Sequence, residues 1–155
     1  MKALIRNALL IVAVTTLCLD AVAYGDSIRV GLQSDLSEKY VRIEGTKLKA
    51  ISQNRHDAER FEIISLETDD NLVIALRASN GKYLEVDKYG WLRAVGTRIT
   101  DRAKFHWYTL SDHRTHALWS VYQRKYVRAG VGKGSQLAAV SDHIRGWERF
   151  HFACR

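Results

Sequence analysis

Three short stretches, Lys39-Tyr40-Val41, Lys82-Tyr83-Leu84 and Lys125-Tyr126-Val127, stand 43 residues apart at both steps. A second block follows each: Leu48-Lys49-Ala50-Ile51, Leu92-Arg93-Ala94-Val95 and Leu137-Ala138-Ala139-Val140. Phe61, Phe105 and Phe150 then fall 13 residues beyond the leucine in every copy, each preceded by a base (Arg60, Lys104, Arg149). The gaps from tyrosine to leucine are 8, 9 and 11 residues, the variation that hairpin loops tolerate. So many anchors at matched spacing mark an internal repeat, whose units bury their apolar faces against one another.

Each unit reads as four strands. The first carries the apolar stretches 28–32, 73–76 and 117–122. In the second, Val41 and Ile43, Leu84 and Val86, and Val127 and Ala129 alternate with Arg42, Glu85 and Arg128, the period of a half-buried strand. The Leu-x-Ala blocks form the third. The fourth sets Phe61-Ile63-Ser65, Phe105-Trp107-Thr109 and Phe150-Phe152-Cys154 on one face. Turn residues separate them: Asp35, Asn80-Gly81, Tyr89-Gly90 and Gly130 to Gly134. The pattern predicts an all-β domain, a β-trefoil of twelve strands in three pseudo-symmetric repeats of about 43 residues. Closing the sheet into a barrel removes the strand edges that invite aggregation.

The chain has 155 residues, enough for one domain and a short appendage and too few for a multidomain enzyme. Lys2 and Arg6 precede an apolar run from Ala8 to Leu19, shorter than the roughly 20 residues that span a bilayer core. Small residues follow at Ala21, Ala23 and Gly25, the order of parts in a signal peptide. Residues 1–25 are therefore expected to be removed after Ala23 or Gly25, leaving a domain over 26–155 in a secreted, periplasmic or extracellular setting. No transmembrane segment is expected in the mature chain. Removal of Cys18 would leave Cys154 alone, so the fold must stand without an internal disulfide.

The second and third units resemble the repeat of fascin-type trefoils. Asn80-Gly81-Lys82-Tyr83-Leu84 with Trp91-Leu92-Arg93-Ala94 carries the resemblance, as does the ending Gly146-Trp147-Glu148-Arg149-Phe150. It extends over residues 28–155, the first unit keeping Glu59-Arg60-Phe61 but neither the Asn-Gly turn nor the Trp-Glu pair. Fascins carry four such domains in tandem and bundle cytoplasmic actin filaments, so the resemblance implies actin or another protein as one class of partner. Single trefoils are also similar to carbohydrate-binding modules and to heparin-binding growth factors, which implies glycan as another. The Gln-x-Trp signature of ricin-type lectins is absent.

Catalysis needs a nucleophile with its base, a carboxylate pair or a metal constellation. His106 and His151 follow the core Phe at an outward phase, a surface position. His113 and His116 stand three apart in what reads as a loop, without a carboxylate or thiol at ligand spacing. The glycines between 130 and 134 join two strands rather than opening a helix, so no nucleotide loop is read there. A non-enzymatic protein without metal or cofactor is expected.

Charge is unevenly distributed. Residues 26–70 carry a net −3, residues 71–113 a net +3 and residues 114–155 a net +6. The third unit brings Lys125, Arg128, Lys133, Arg145 and Arg149, candidates for a polyanion. In an exported protein the accessible polyanions are sulfated or uronic glycans, envelope polymers and membrane surfaces, and nucleic acid is not expected. Tyr89 and Trp91 flank Gly90 in a predicted turn, where a ring can stack on the apolar face of a sugar. The alternative for Trp91 is to fold back over the barrel mouth. The chain thus reads as a secreted binding module, glycan first, protein second.

Overall fold

Alternation becomes twelve strands in the computed structural model, which describes residues 28–66 and 72–153. The expected signal peptide (residues 1–25), Cys154 and Arg155 lie outside the described residues. The first unit holds β1 (Arg29–Ser34), β2 (Tyr40–Glu44), β3 (Lys47–Ser52) and β4 (Phe61–Leu66). The second holds β5 (Val73–Arg77), β6 (Tyr83–Val86), β7 (Leu92–Gly96) and β8 (Phe105–Thr109). The third holds β9 (His116–Ser120), β10 (Lys125–Val131), β11 (Gln136–Ser141) and β12 (Phe150–Ala153). A short 3-10 turn precedes each core Phe: Arg55–Asp57, Asp101–Ala103 and Gly146–Glu148. Among the described residues no helix is long and apolar enough to cross a membrane.

Antiparallel pairing runs β1–β4–β5–β8–β9–β12 and back to β1, a closed six-stranded ring. The other six strands form hairpins, β2–β3, β6–β7 and β10–β11, each attached to the ring strand before it. The hairpins also meet one another, through Lys47 opposite Arg93, Gln136 opposite Lys49, and a bridge from Trp91 to Ala138. Three backbone bonds accompany these contacts. The N–H groups of Ala50, Ala94 and Ala139, each the alanine of a Leu-x-Ala block, donate to the carbonyls of Ser135, Thr46 and Gly90 at 2.7–2.9 Å.

Ring register sorts the inward side chains into layers. Leu32 faces Phe152, Leu76 faces Ile63 and Leu118 faces Trp107. Val30 faces Phe61, Ile74 faces Phe105 and His116 faces Phe150. All of these residues are buried. The repeated tyrosine behaves otherwise. Tyr40, Tyr83 and Tyr126 are half-buried, and the hairpin register shifts immediately after each of them. The tyrosine of each recurring stretch therefore marks a hairpin bulge, while the residue after it (Val41, Leu84, Val127) is fully buried in the core.

Three placements correct the sequence reading. Tyr122 lies in the turn after β9, not in the strand. Gly130 and Val131 belong to β10, where Gly130 sits at a register irregularity with φ of +70°. A Cβ there would stand 2.7 Å from the Trp147 ring, so glycine lets the indole close on the strand. His116 opens β9 and is 1% exposed rather than lying in a loop. Its Nδ1 accepts from Trp107 Nε1 at 3.0 Å, and its ring lies edge-on to Trp107 and Phe152, which stack at 4.1 Å.

Candidate ligand-binding surface

The β6–β7 turn is built around Asp87. Its Oδ1 accepts the N–H groups of Tyr89 and Trp91 at 2.8 and 3.0 Å, while its own N–H donates to the Trp91 carbonyl. This is the Asx geometry that short acidic side chains favour in turns. Gly90, at φ +93°, lies against β11 so closely that a Cβ would stand 2.9 Å from the Ala139 carbonyl oxygen. Tyr89 is consequently pushed outward, 69% exposed, with Lys88 Nζ 4.9 Å from its ring centroid. Trp91 turns the other way. It is half-buried, bridged to Ala138 and packed over Gly132. The two rings thus leave the turn in different directions. Gly90→Ala is expected to cost about 2 kcal/mol or more, from left-handed strain plus collision with Ala139, measurable by urea unfolding.

The basic candidates fall into separate places. Lys125, at the start of β10, pairs with Asp142. Arg128 on β10 lies 3.9 Å from Glu148 Oε1, and the backbone N–H of Arg145 donates to Glu148 Oε2 at 2.8 Å. Lys133 is exposed at the tip of the β10–β11 hairpin. Arg149 is half-buried, and its carbonyl accepts from Asp35 N–H at 3.0 Å. Glu148 organises part of this region. It is 2% exposed, takes the Ser141 hydroxyl at 2.6 Å, and anchors the turn that carries Trp147. A Glu one residue after a packed Trp is the signal that marks such an anchor in the sequence.

The histidines divide by environment. His151 Nε2 meets Asp35 at 2.7 Å on the surface. His106 is half-buried, with desolvation lowering its pKa, and its Nδ1 has no hydrogen-bond partner among the described residues. Asp112 is held well below the usual carboxylate range by the Thr115 hydroxyl, then by the Thr115 and Arg114 N–H groups. Among the described residues no three His, Cys, Asp or Glu side chains group as metal ligands.

A family profile for the fascin domain matches residues 32–152. The chain belongs to the fascin-domain family. Solved structures agree on the fold. A designed threefold-symmetric protein, ThreeFoil, superposes with a TM-score of 0.68 at 15% identity, over 82% of this chain and 99% of that one. The BEL β-trefoil gives 0.66 at 15% identity, over 86% and 97%. A GH43 β-1,3-galactosidase gives 0.66 at 18% identity, over 83% of this chain and 28% of that larger one. No curated protein matches in sequence. The architecture of this fascin domain is therefore all-β, with β-trefoil neighbours.

Proposed function

We propose that this fascin domain is a secreted, non-enzymatic module that binds glycans carrying negative charge. One observation supports the reading above others: the third unit's acidic groups are already engaged. Its carboxylates are Asp142 and Glu148, the first paired to Lys125 and the second buried among Ser141, Arg145 and Arg128. Arg114, Arg124, Lys133 and Arg145 remain exposed without a carboxylate of that unit to offset them. Their field reaches solvent and attracts a polyanion with a strength that falls as salt rises. Arginine adds planar donors suited to carboxylate and sulfate. Tyr89, projecting from a rigid turn, supplies a ring for stacking. Processing near Ala23 or Gly25 would expose such a module to extracellular or envelope glycans.

Retention on immobilised heparin tests this. The protein is expected to bind at low ionic strength and to elute as salt rises, and Lys133→Glu with Arg145→Glu is expected to abolish retention without moving the unfolding midpoint. Retention unchanged in that double variant would contradict the assignment. Family membership favours a second reading, an actin or other protein partner, which filament co-sedimentation distinguishes.

A further inference from the structure

The ring and hairpins create three outward rows of side chains at matching positions. In the first, Glu62 on β4 faces Arg77 on β5, which faces Tyr83 on β6. In the second, His151 on β12 faces Gln33 on β1, which faces Tyr40 on β2. In the third, His106 on β8 faces Trp119 on β9, which faces Tyr126 on β10. Directly opposed residues project to the same face of a sheet. The rows share a backbone and differ in chemistry.

Two rows are polar and satisfied by the protein itself. Arg77 Nε donates to Glu62 Oε2 at 2.7 Å, Gln33 Nε2 donates to the Glu38 carbonyl, and His151 pairs with Asp35. The third row is aromatic. His106 lies 5.4 Å from Trp119, Tyr108 joins from the next outward position of β8, and Tyr108 meets Tyr126 edge-on at 6.1 Å. Tyr108 is 38% exposed and the other three are half-buried. The tyrosine station is shared by all three rows and His151 matches His106, so the third row is set apart by Trp119, where the others carry Arg77 and Gln33, and by Tyr108 beside it.

We infer that the row His106–Trp119–Tyr126, with Tyr108, is a stacking face for the pyranose rings of an oligosaccharide. The inference rests on the glycan reading above and assigns it a second, uncharged subsite. Three features favour sugar over a protein partner. The rings offer flat apolar surface with polar tips, the amphipathic character that a sugar face matches. No charged side chain stands in the row. The exposed aliphatic side chains that would extend an apolar protein interface, Leu36, Val95 and Val140, belong to other strands and turns. The row crosses three strands at about 4.8 Å each, so it spans roughly 10 Å, room for a short run of sugars.

The double variant His106→Glu with Trp119→Arg tests it by installing the ion pair that the first row already carries, which keeps the fold. Calorimetric titrations use hexasaccharides of β-1,4-glucose, β-1,4-N-acetylglucosamine and β-1,3-galactose, with Tyr108→Ala as an independent second variant. The wild type is expected to bind at least one probe, and each variant to weaken that affinity by about tenfold or more while heparin retention stays unchanged. Binding that survives both variants but falls in Tyr89→Ala overturns the inference and leaves the glycan reading standing. Heparin retention without binding of any hexasaccharide does the same. A wild-type dimer that the variants split, with no sugar bound, would make the row a self-association face and overturn it. Failure of both heparin and hexasaccharides removes both readings.

Discussion

Phe105→Ala is expected to remove about 3–5 kcal/mol of stability, the largest loss among single substitutions in this domain. Phe61, Phe105 and Phe150 are fully buried, one from each unit, and each is the first residue of a ring strand. Phe105 lies opposite Ile74 on one side and Ser120 on the other, so its ring is enclosed by two neighbouring strands. Truncation loses the transfer free energy of the ring and leaves a cavity that a closed barrel cannot readily collapse. Since small domains are stable by only about 5–15 kcal/mol, a loss of this size would unfold a measurable fraction at ordinary temperature. Urea titration monitored by tryptophan fluorescence reads it directly. A cost below about 1 kcal/mol would mean that the three phenylalanines do not share one core.

Acidification is expected to destabilise the fold through His116. Burial pushes its imidazole down from 6.5 to about 4, with Asp112 opposing the shift and His151 adding to it. Nδ1 accepts from the Trp107 indole, so Nε2 carries the proton of the neutral ring and has no partner among the described residues. The folded chain therefore keeps this histidine neutral where the unfolded chain protonates it. With a depressed folded pKa of a base, stability is full above about pH 6.5 and falls as pH drops towards 4. The fall approaches about 3 kcal/mol. His106 contributes in the same direction through its own desolvation. Val30 and Ile74 occupy the matching stations of the other two units, so His116→Ile is expected to flatten the pH 4–6.5 slope. Equal slopes in the two proteins would contradict a neutral, buried His116.

Much of the architecture was legible because packing anchors recur in sequence at constant spacing. Leu48, Leu92 and Leu137, with the three phenylalanines, are apolar, large and fully buried, so their period alone reports the core. The repeated tyrosines recur for a different reason: each is half-buried and directly precedes a shift in hairpin register. His116 was placed in a loop because local sequence does not report strand register. A histidine following Asp112 to Thr115 reads as loop, and only strand register places it opposite Phe150 inside the ring. For Trp91 the sequence left both an exposed turn ring and a folded-back one open, and its half-buried position depends on a bridge to Ala138, in a hairpin 47 residues later in the chain. Alternation likewise gives the outward phase of His106, Trp119 and Tyr126 but not their adjacency, which depends on the register of three strands.

The surplus of bases in the third unit was legible, and their arrangement was not. Counting placed the surplus of bases in the third unit, and the structure separates them into Lys125 with Asp142, Arg128 beside Glu148, exposed Arg145 on the turn that Glu148 anchors, and Lys133 at a hairpin tip. The proposed glycan would have to be extended to span these stations, which suits a polymer better than a small ion. Shallow contacts of this kind gain strength through repetition along a chain.

The most direct measurement is binding of the purified protein to an array that carries neutral and anionic glycans, run beside co-sedimentation with filamentous actin. Retention on anionic glycans that weakens with added salt, with no pelleting on filaments, is the expected result. Filament pelleting with no glycan bound would contradict it.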